Sequence, residues 1–226
     1  MVGLLDGMPE ATRWRLFVDA AKQAAAETGY KLTRVPGRGL SNIWNMEKGG
    51  KKQIAAIRTT RDRWIAFPPL QGGTKWKTLD DVQMVVVAAV DSKENPQKIT
   101  VYIFPADDVR KRFDAAYAAR TAAGHTNKDN FGMWVALDHD PRGIASSVGS
   151  GITQHYKPVA VYSIETLLSA NANQPPHAAG EIEEETEEQE AKFTTIAEVM
   201  AWARDRVAEI AGIKVDSVKL DLKLEY

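Results

Sequence analysis

Eleven basic side chains fall between residues 31 and 77, among them Arg38, Lys51, Lys52, Arg58, Arg61, Arg63, Lys75 and Lys77, against only two acids, Glu47 and Asp62. Trp44, Trp64, Phe67 and Trp76 are interleaved with them. Cations contact phosphates and flat rings stack on bases, so a basic, aromatic stretch of this kind is the footprint expected for nucleic-acid binding. The same composition also fits a solvated basic sheet face whose tryptophans are core residues. Three further patterns carry weaker chemistry. Asp138-His139-Asp140 sets three metal-ligand types in a row, but neighbours on an extended loop cannot converge on one ion without help from His125 or His155. The reading is a polar loop, with no metal and no cofactor. The segment from Gly143 to Gly149-Ser150-Gly151 is glycine-rich, yet it lacks the Gly-Lys-Ser/Thr of a phosphate loop and reads as flexible surface. Asp107-Asp108 suits a helix N-terminus, and no Ser-His-Asp set can be assigned from four scattered histidines.

The chain of 226 residues has 44% hydrophobic and 26% charged residues, the balance of a globular domain, and no cysteine. Disulfides, thiolate nucleophiles and Cys-ligated zinc are excluded. No apolar run approaches the roughly 20 residues that cross a bilayer. The opening MVGLLDGMPE lacks the basic residues of a secretory leader, so the expectation is a cytoplasmic chain with no membrane partner. The net charge of -1 conceals an asymmetry: residues 1–170 carry +6 and residues 171–226 carry -7.

The elements that must position these residues follow from periodicity. Helical spacing over residues 9–28 ends at Gly29. A short strand over 30–35 precedes a hairpin, 41–47 and 52–60, turned by Gly49-Gly50. Residues 63–67 form a short strand closed by Pro68-Pro69, and 83–90 read as a strand buried on both faces. A strand over 99–104 leads into a helix from 105 to about 124. Two more strands, 131–137 and 158–162, flank a loop over 138–154, and a short helix covers 163–170. The predicted class is α/β (or α+β), a central mixed sheet flanked by helices, in a main domain over 1–170. Residues 171–192, with seven glutamates between 181 and 190, read as a disordered acidic linker. Beyond it, Thr195-x-x-Glu198 opens a helix stopped by Gly212, and strict alternation from Val218 to Tyr226 predicts a strand. This helix–strand module over 193–226 cannot bury its own core. The strand is therefore expected to pair with the main sheet or, across a two-fold axis, with a second copy of the chain.

The order of helix, glycine-rich turn and hairpin ending in a basic residue resembles the PD-(D/E)xK nuclease core of restriction endonucleases and junction resolvases. In that family an Asp at the start of the hairpin and an acid two residues before a Lys hold a divalent metal and activate water. On this resemblance, Asn42 takes the place of the Asp, Ala56 that of the acid and Arg58 that of the Lys. Asn42 offers one neutral oxygen, Ala56 offers none, and Arg58 cannot deprotonate. The resemblance therefore implies a degenerate site on a nuclease-like fold, one that retains a basic surface for nucleic acid, DNA foremost, in plasmid, phage or defence biology. The catalytic residues are unknown, and the chain reads as non-catalytic. Alternatives are a protein-interaction module whose basic face meets an acidic partner or its own glutamate run, and a metal-dependent nuclease or other hydrolase using an unrecognised site. If the glutamate run competes with nucleic acid, deleting residues 178–191 should tighten DNA binding at low salt, and the gain should shrink as salt rises. Equal affinity with and without the run would make it a spacer.

Overall fold

A computed structural model of the chain describes residues 4–5, 7–35, 42–172, 195–211 and 214–221. The first helix, α1 (Glu10–Glu27), has Pro9 at its N-cap. It closes on a Schellman motif: Gly29 sits at φ 83°, its N–H donates to the Ala26 carbonyl at 2.9 Å, and the Tyr30 N–H reaches the Ala25 carbonyl at 2.8 Å. Strands β1 (Lys31–Arg34), β2 (Ile43–Lys48) and β3 (Lys51–Thr60) form an antiparallel meander. The β2–β3 turn places Gly49 and Gly50 at φ 57° and 80°, the two positive values that a type I′ hairpin turn requires.

β3 then pairs in parallel with β7 (Met84–Val90), so the chain between them must cross over one face of the sheet. That crossover holds β4 (Trp64–Phe67) and a small hairpin, β5 (Pro69–Leu70) with β6 (Lys75–Trp76). β8 (Lys98–Pro105) returns antiparallel to β7, and α2 (Ala106–Ala122) follows directly. β9 (Met133–Ala136) pairs with β4 in a separate two-stranded ribbon. A short helix, α3 (Ile144–Ser147), precedes β10 (Ala160–Ser163), which pairs with β8, and α4 (Ile164–Ala172). The main sheet has the order β1-β2-β3-β7-β8-β10. This is the mixed sheet expected from the sequence, of the α+β class.

Two apolar layers sandwich the sheet. On one face, Leu16, Phe17, Ala20, Ala21 and Ala24 of α1 pack on Ala55, Ile57, Val86, Ala88 and Val101, joined by Ile164 of α4. The small side chains of α1 let the helix lie close to the strands. On the other face, Val109, Phe113 and Ala116 of α2 pack on Ala56, Val85, Val87 and Phe104, with Phe67 and Met133 of the ribbon and Trp76 beside them. β7 therefore serves both layers, Val85, Val87 and Ala89 one way and Val86, Ala88 and Val90 the other, as its unbroken apolar run predicts.

The 63–67 strand ends at Phe67, before Pro68-Pro69 as expected, and Pro69 then pairs with Trp76 in the next hairpin, which a proline can do at a sheet edge. Two expectations need correcting. The 138–154 loop contains α3 and a 3-10 turn over Ile152–Gln154. The C-terminal helix is present as α5 (Ile196–Ala211), but the strand expected after it is not formed by residues 218–221. Val218 and Leu220 do face inward, against Ala208 and Val215, and Lys219 and Asp221 face outward. The alternation is satisfied by packing on the helix of the same module, with no ladder; residues 222–226 lie outside the described residues, as does the 173–194 stretch that holds the glutamate run. Among the described residues no helix is long and apolar enough to cross a membrane.

Candidate functional site

β3 outruns its neighbour β2. The last residue pair between them is Ile43 with Ala56, and the Ile57 N–H still donates to the Asn42 carbonyl at 2.9 Å. Arg58, Thr59 and Thr60 continue in register with β7, and the segment before Asn42 lies outside the described residues. This end of β3 lines a cavity of about 560 Å³. One wall is the start of α1, with Glu10, Arg13 and Trp14; the opposite wall is the β4–β9 ribbon, with Trp64, Ala66 and Trp134. Asn42 and Arg58 line it from the sheet, and Arg61 and Asp62 from the turn after β3.

Arg58 is 6% exposed and places its guanidinium carbon over the Phe67 ring, 4.5 Å from its centre, with one guanidinium N–H donating to the Ile57 carbonyl at 3.1 Å. Two residues earlier on the same face, Ala56 is buried in the apolar layer below. The Asn42 side-chain oxygen accepts from the Trp44 indole N–H at 2.6 Å. Asn42 and Arg58 thus share the cavity, while Ala56 sits beneath its floor. Glu27, at the far end of α1, does not join them; it accepts hydrogen bonds from Tyr162 and Gln23, each at 2.8 Å. Burial and then this carboxylate raise the Tyr162 phenol above its usual range. The acid that α1 brings to the cavity is Glu10.

The ribbon explains the two tryptophans. Ile65, Phe67, Met133 and Val135 point into the core, so by strand alternation Trp64, Ala66, Trp134 and Ala136 point away from it. Trp64 and Trp134 are diagonal neighbours on that outer face, in a register that pairs Trp64 with Ala136 and Ala66 with Trp134. A Cβ on Gly132 would lie 2.9 Å from the Trp134 ring, so the glycine lets that ring lie against the backbone. The Arg142 guanidinium is 5.7 Å from the centre of the Trp64 ring.

Arg63 is turned inward. It sits at φ 64° and makes a bidentate pair with Asp138, 3.0 Å for one of the two contacts. Its guanidinium also reaches the Val90 carbonyl and, at 3.4 Å each, Thr100 and Tyr102. The Arg63 partner holds the Asp138 carboxyl below the usual carboxylate range, with help from Thr153 at 2.8 Å. Asp140, two residues on, is bound by Arg142 at 2.7 Å. The two acids of Asp138-His139-Asp140 therefore serve different arginines, and no group of three ligands able to hold a metal exists among the described residues.

The glycine-rich loop packs on α2. A Cβ on Gly149, at φ 84°, would meet the Arg112 carbonyl at 2.4 Å, and Arg112 donates to the carbonyls of Gly149 (3.1 Å) and Ser150 (2.8 Å). Asp108, at the start of α2, accepts from the Tyr156 hydroxyl, and Asp80 accepts from the Trp76 N–H at 2.8 Å and from Arg110 at 2.7 Å.

The basic residues of the 31–77 stretch are dispersed. Of those described, only Arg58 and Arg61 line the cavity. Lys51 and Lys52 are exposed at the hairpin tip, roughly 20 Å back along β3. Lys75 is on the β5–β6 hairpin and Lys77 follows it; Arg38 lies outside the described residues. Arg13, Trp14 and Trp134 were not legible as site residues, because helical and strand periodicity account for both tryptophans as packing positions. Trp134 carries one usable signal: it alternates with buried Met133 and Val135, so it faces away from the core. Comparison with family models, curated proteins and solved structures finds no match.

Proposed function

We propose that this chain binds nucleic acid without cleaving it, and that the contact lies in the cavity at the C-terminal end of β3. The observation that carries this reading is the single cavity lined by three arginines, Arg13, Arg58 and Arg61, and three tryptophans, Trp14, Trp64 and Trp134. Arginine supplies planar, permanently charged donors to phosphate, and indole rings supply stacking surfaces. Cleavage by the metal-dependent route needs paired carboxylates around a hard cation. Asn42, Ala56 and Arg58 provide none. Asp62 is engaged in the turn, accepting from the Thr60 hydroxyl at 2.9 Å and the Trp64 N–H at 3.1 Å.

Fluorescence anisotropy with a labelled DNA duplex bearing a single-stranded tail tests the reading. Affinity should fall with salt as a straight line in log–log form, and Arg13→Ala and Arg61→Ala should each reduce the slope by about 1. Lys51→Ala with Lys52→Ala, at the far end of β3, should change it less. Plasmid incubated with Mg²⁺ or Mn²⁺ should remain intact. Affinity that ignores both salt and the two arginine variants refutes the reading, and cleavage that disappears in Asn42→Ala refutes its non-catalytic half.

A further inference from the structure

We infer that the cavity takes unpaired bases, so that the nucleic acid bound there is single-stranded; this rests on the nucleic-acid reading above and specifies its ligand. Two observations converge. The first is size. A cavity of about 560 Å³ is on the scale of a small-molecule site, whereas a double helix presents its base edges only to an element laid along a groove. Among the described residues the cavity is a recess between the start of α1 and the ribbon.

The second is ring placement. Trp64 and Trp134 sit as diagonal neighbours on the outward face of a ribbon whose other face is locked into the core by Ile65, Phe67, Met133 and Val135. Both rings are half-buried, which holds their planes in position while leaving surface for stacking. Trp14 faces them from α1 across the recess. Stacking of this kind tolerates any base, because every base has a π-face, and it requires that the base be out of its duplex.

The test uses the full chain and two fluorescein-labelled probes, a short oligothymidylate and a blunt duplex of the same length. The oligothymidylate should bind at least about tenfold more tightly than the duplex and should quench the tryptophan fluorescence of the protein. Trp64→Ala and Trp134→Ala should each weaken its binding about five- to a hundredfold, the range found for loss of one base–aromatic stack. Trp64→Phe, which keeps a stacking ring, should restore most of the loss, and circular dichroism identifies any variant that fails to fold. Equal affinity for the two probes, or alanine variants that bind the oligothymidylate as the wild type does, overturns the single-strand inference; salt-dependent binding of both probes would leave the nucleic-acid reading standing. Competition by thymidine monophosphate as effective as that by the oligothymidylate also overturns it, in favour of a nucleotide site. Failure to bind either probe overturns both.

Discussion

Replacing Phe113 with alanine should lower the unfolding free energy by about 3–5 kcal/mol and the melting temperature by roughly 10 °C. Phe113 has no exposed surface. Its ring meets Phe67 of the ribbon edge-on at 5.3 Å and Trp76 at 5.1 Å, so one side chain ties α2 to both of the small β units laid over the sheet. Removing it leaves a ring-sized void between elements that cannot collapse together, because the sheet and α2 are each held by other contacts. The effect should reach the candidate site. The Phe67 ring also carries the Arg58 guanidinium over it, and Trp64 stands on the opposite face of the same ribbon. Phe113→Leu, which fills much of the volume, should recover a large part of the stability. Denaturant titration of the two variants measures this, and a loss below about 1 kcal/mol for alanine would contradict the packing of α2 on the ribbon.

Arg63→Ala should cost about 2–3 kcal/mol, since hydrogen bonds from a charged group to the Val90 carbonyl and the Asp138 carboxylate disappear together. The backbone makes a sharper test. Arg63 occupies the left-handed region, where a side chain beyond Gly is strained by about 1–2 kcal/mol. Arg63→Gly removes the same guanidinium but relieves that strain, so it should be more stable than Arg63→Ala, the reverse of the usual order. The pH dependence has a definite sign. The Asp138 carboxyl is lowered by its Arg63 partner, so its contribution is present above the unfolded carboxylate value of about 3.9 and is lost as pH falls through the lower folded value. Arg63 stays charged throughout. Asp138 is half exposed, so solvent screens the pair and the pH-dependent share is the smaller part of the loss. Asp138→Asn should flatten the decline in stability between pH 5 and pH 2 relative to the wild type, and an unchanged profile would assign it to other acids.

Much of the scaffold around the site is legible in the residues themselves. The run from Met84 to Val90 has no polar position to offer solvent, and it becomes the strand shared by both apolar layers. Gly49-Gly50 and Gly29 stand where positive φ is needed, and the turn and helix end fall on them. These features are local: the energy that decides them is set by a few neighbouring residues.

The site is not local. Its walls come from residues near 10, 60 and 134, and nothing in linear spacing says that the start of α1 faces the outer side of a ribbon built from two distant segments. A run of basic residues carries no record of which face each side chain takes. Arg63 is drawn inward because an acid 75 residues later completes its pairing, and Arg58 because Phe67 lies beneath it, while Lys51 and Lys52 are carried to the opposite end of the same strand. The alternation from Val218 onward shows the converse. Period-two burial over Val218–Asp221 can be met by a helix packed alongside as well as by a ladder, and the choice rests on whether a neighbouring strand is within reach of the backbone. Residue types therefore determined the turns, the caps, the double-sided strand and the class of the sheet, because those depend on short-range sterics and on whether a side chain can tolerate water. Only the tertiary structure decided which charges face solvent and which segments meet at the C-terminal end of β3, because both depend on pairings between residues far apart in the chain.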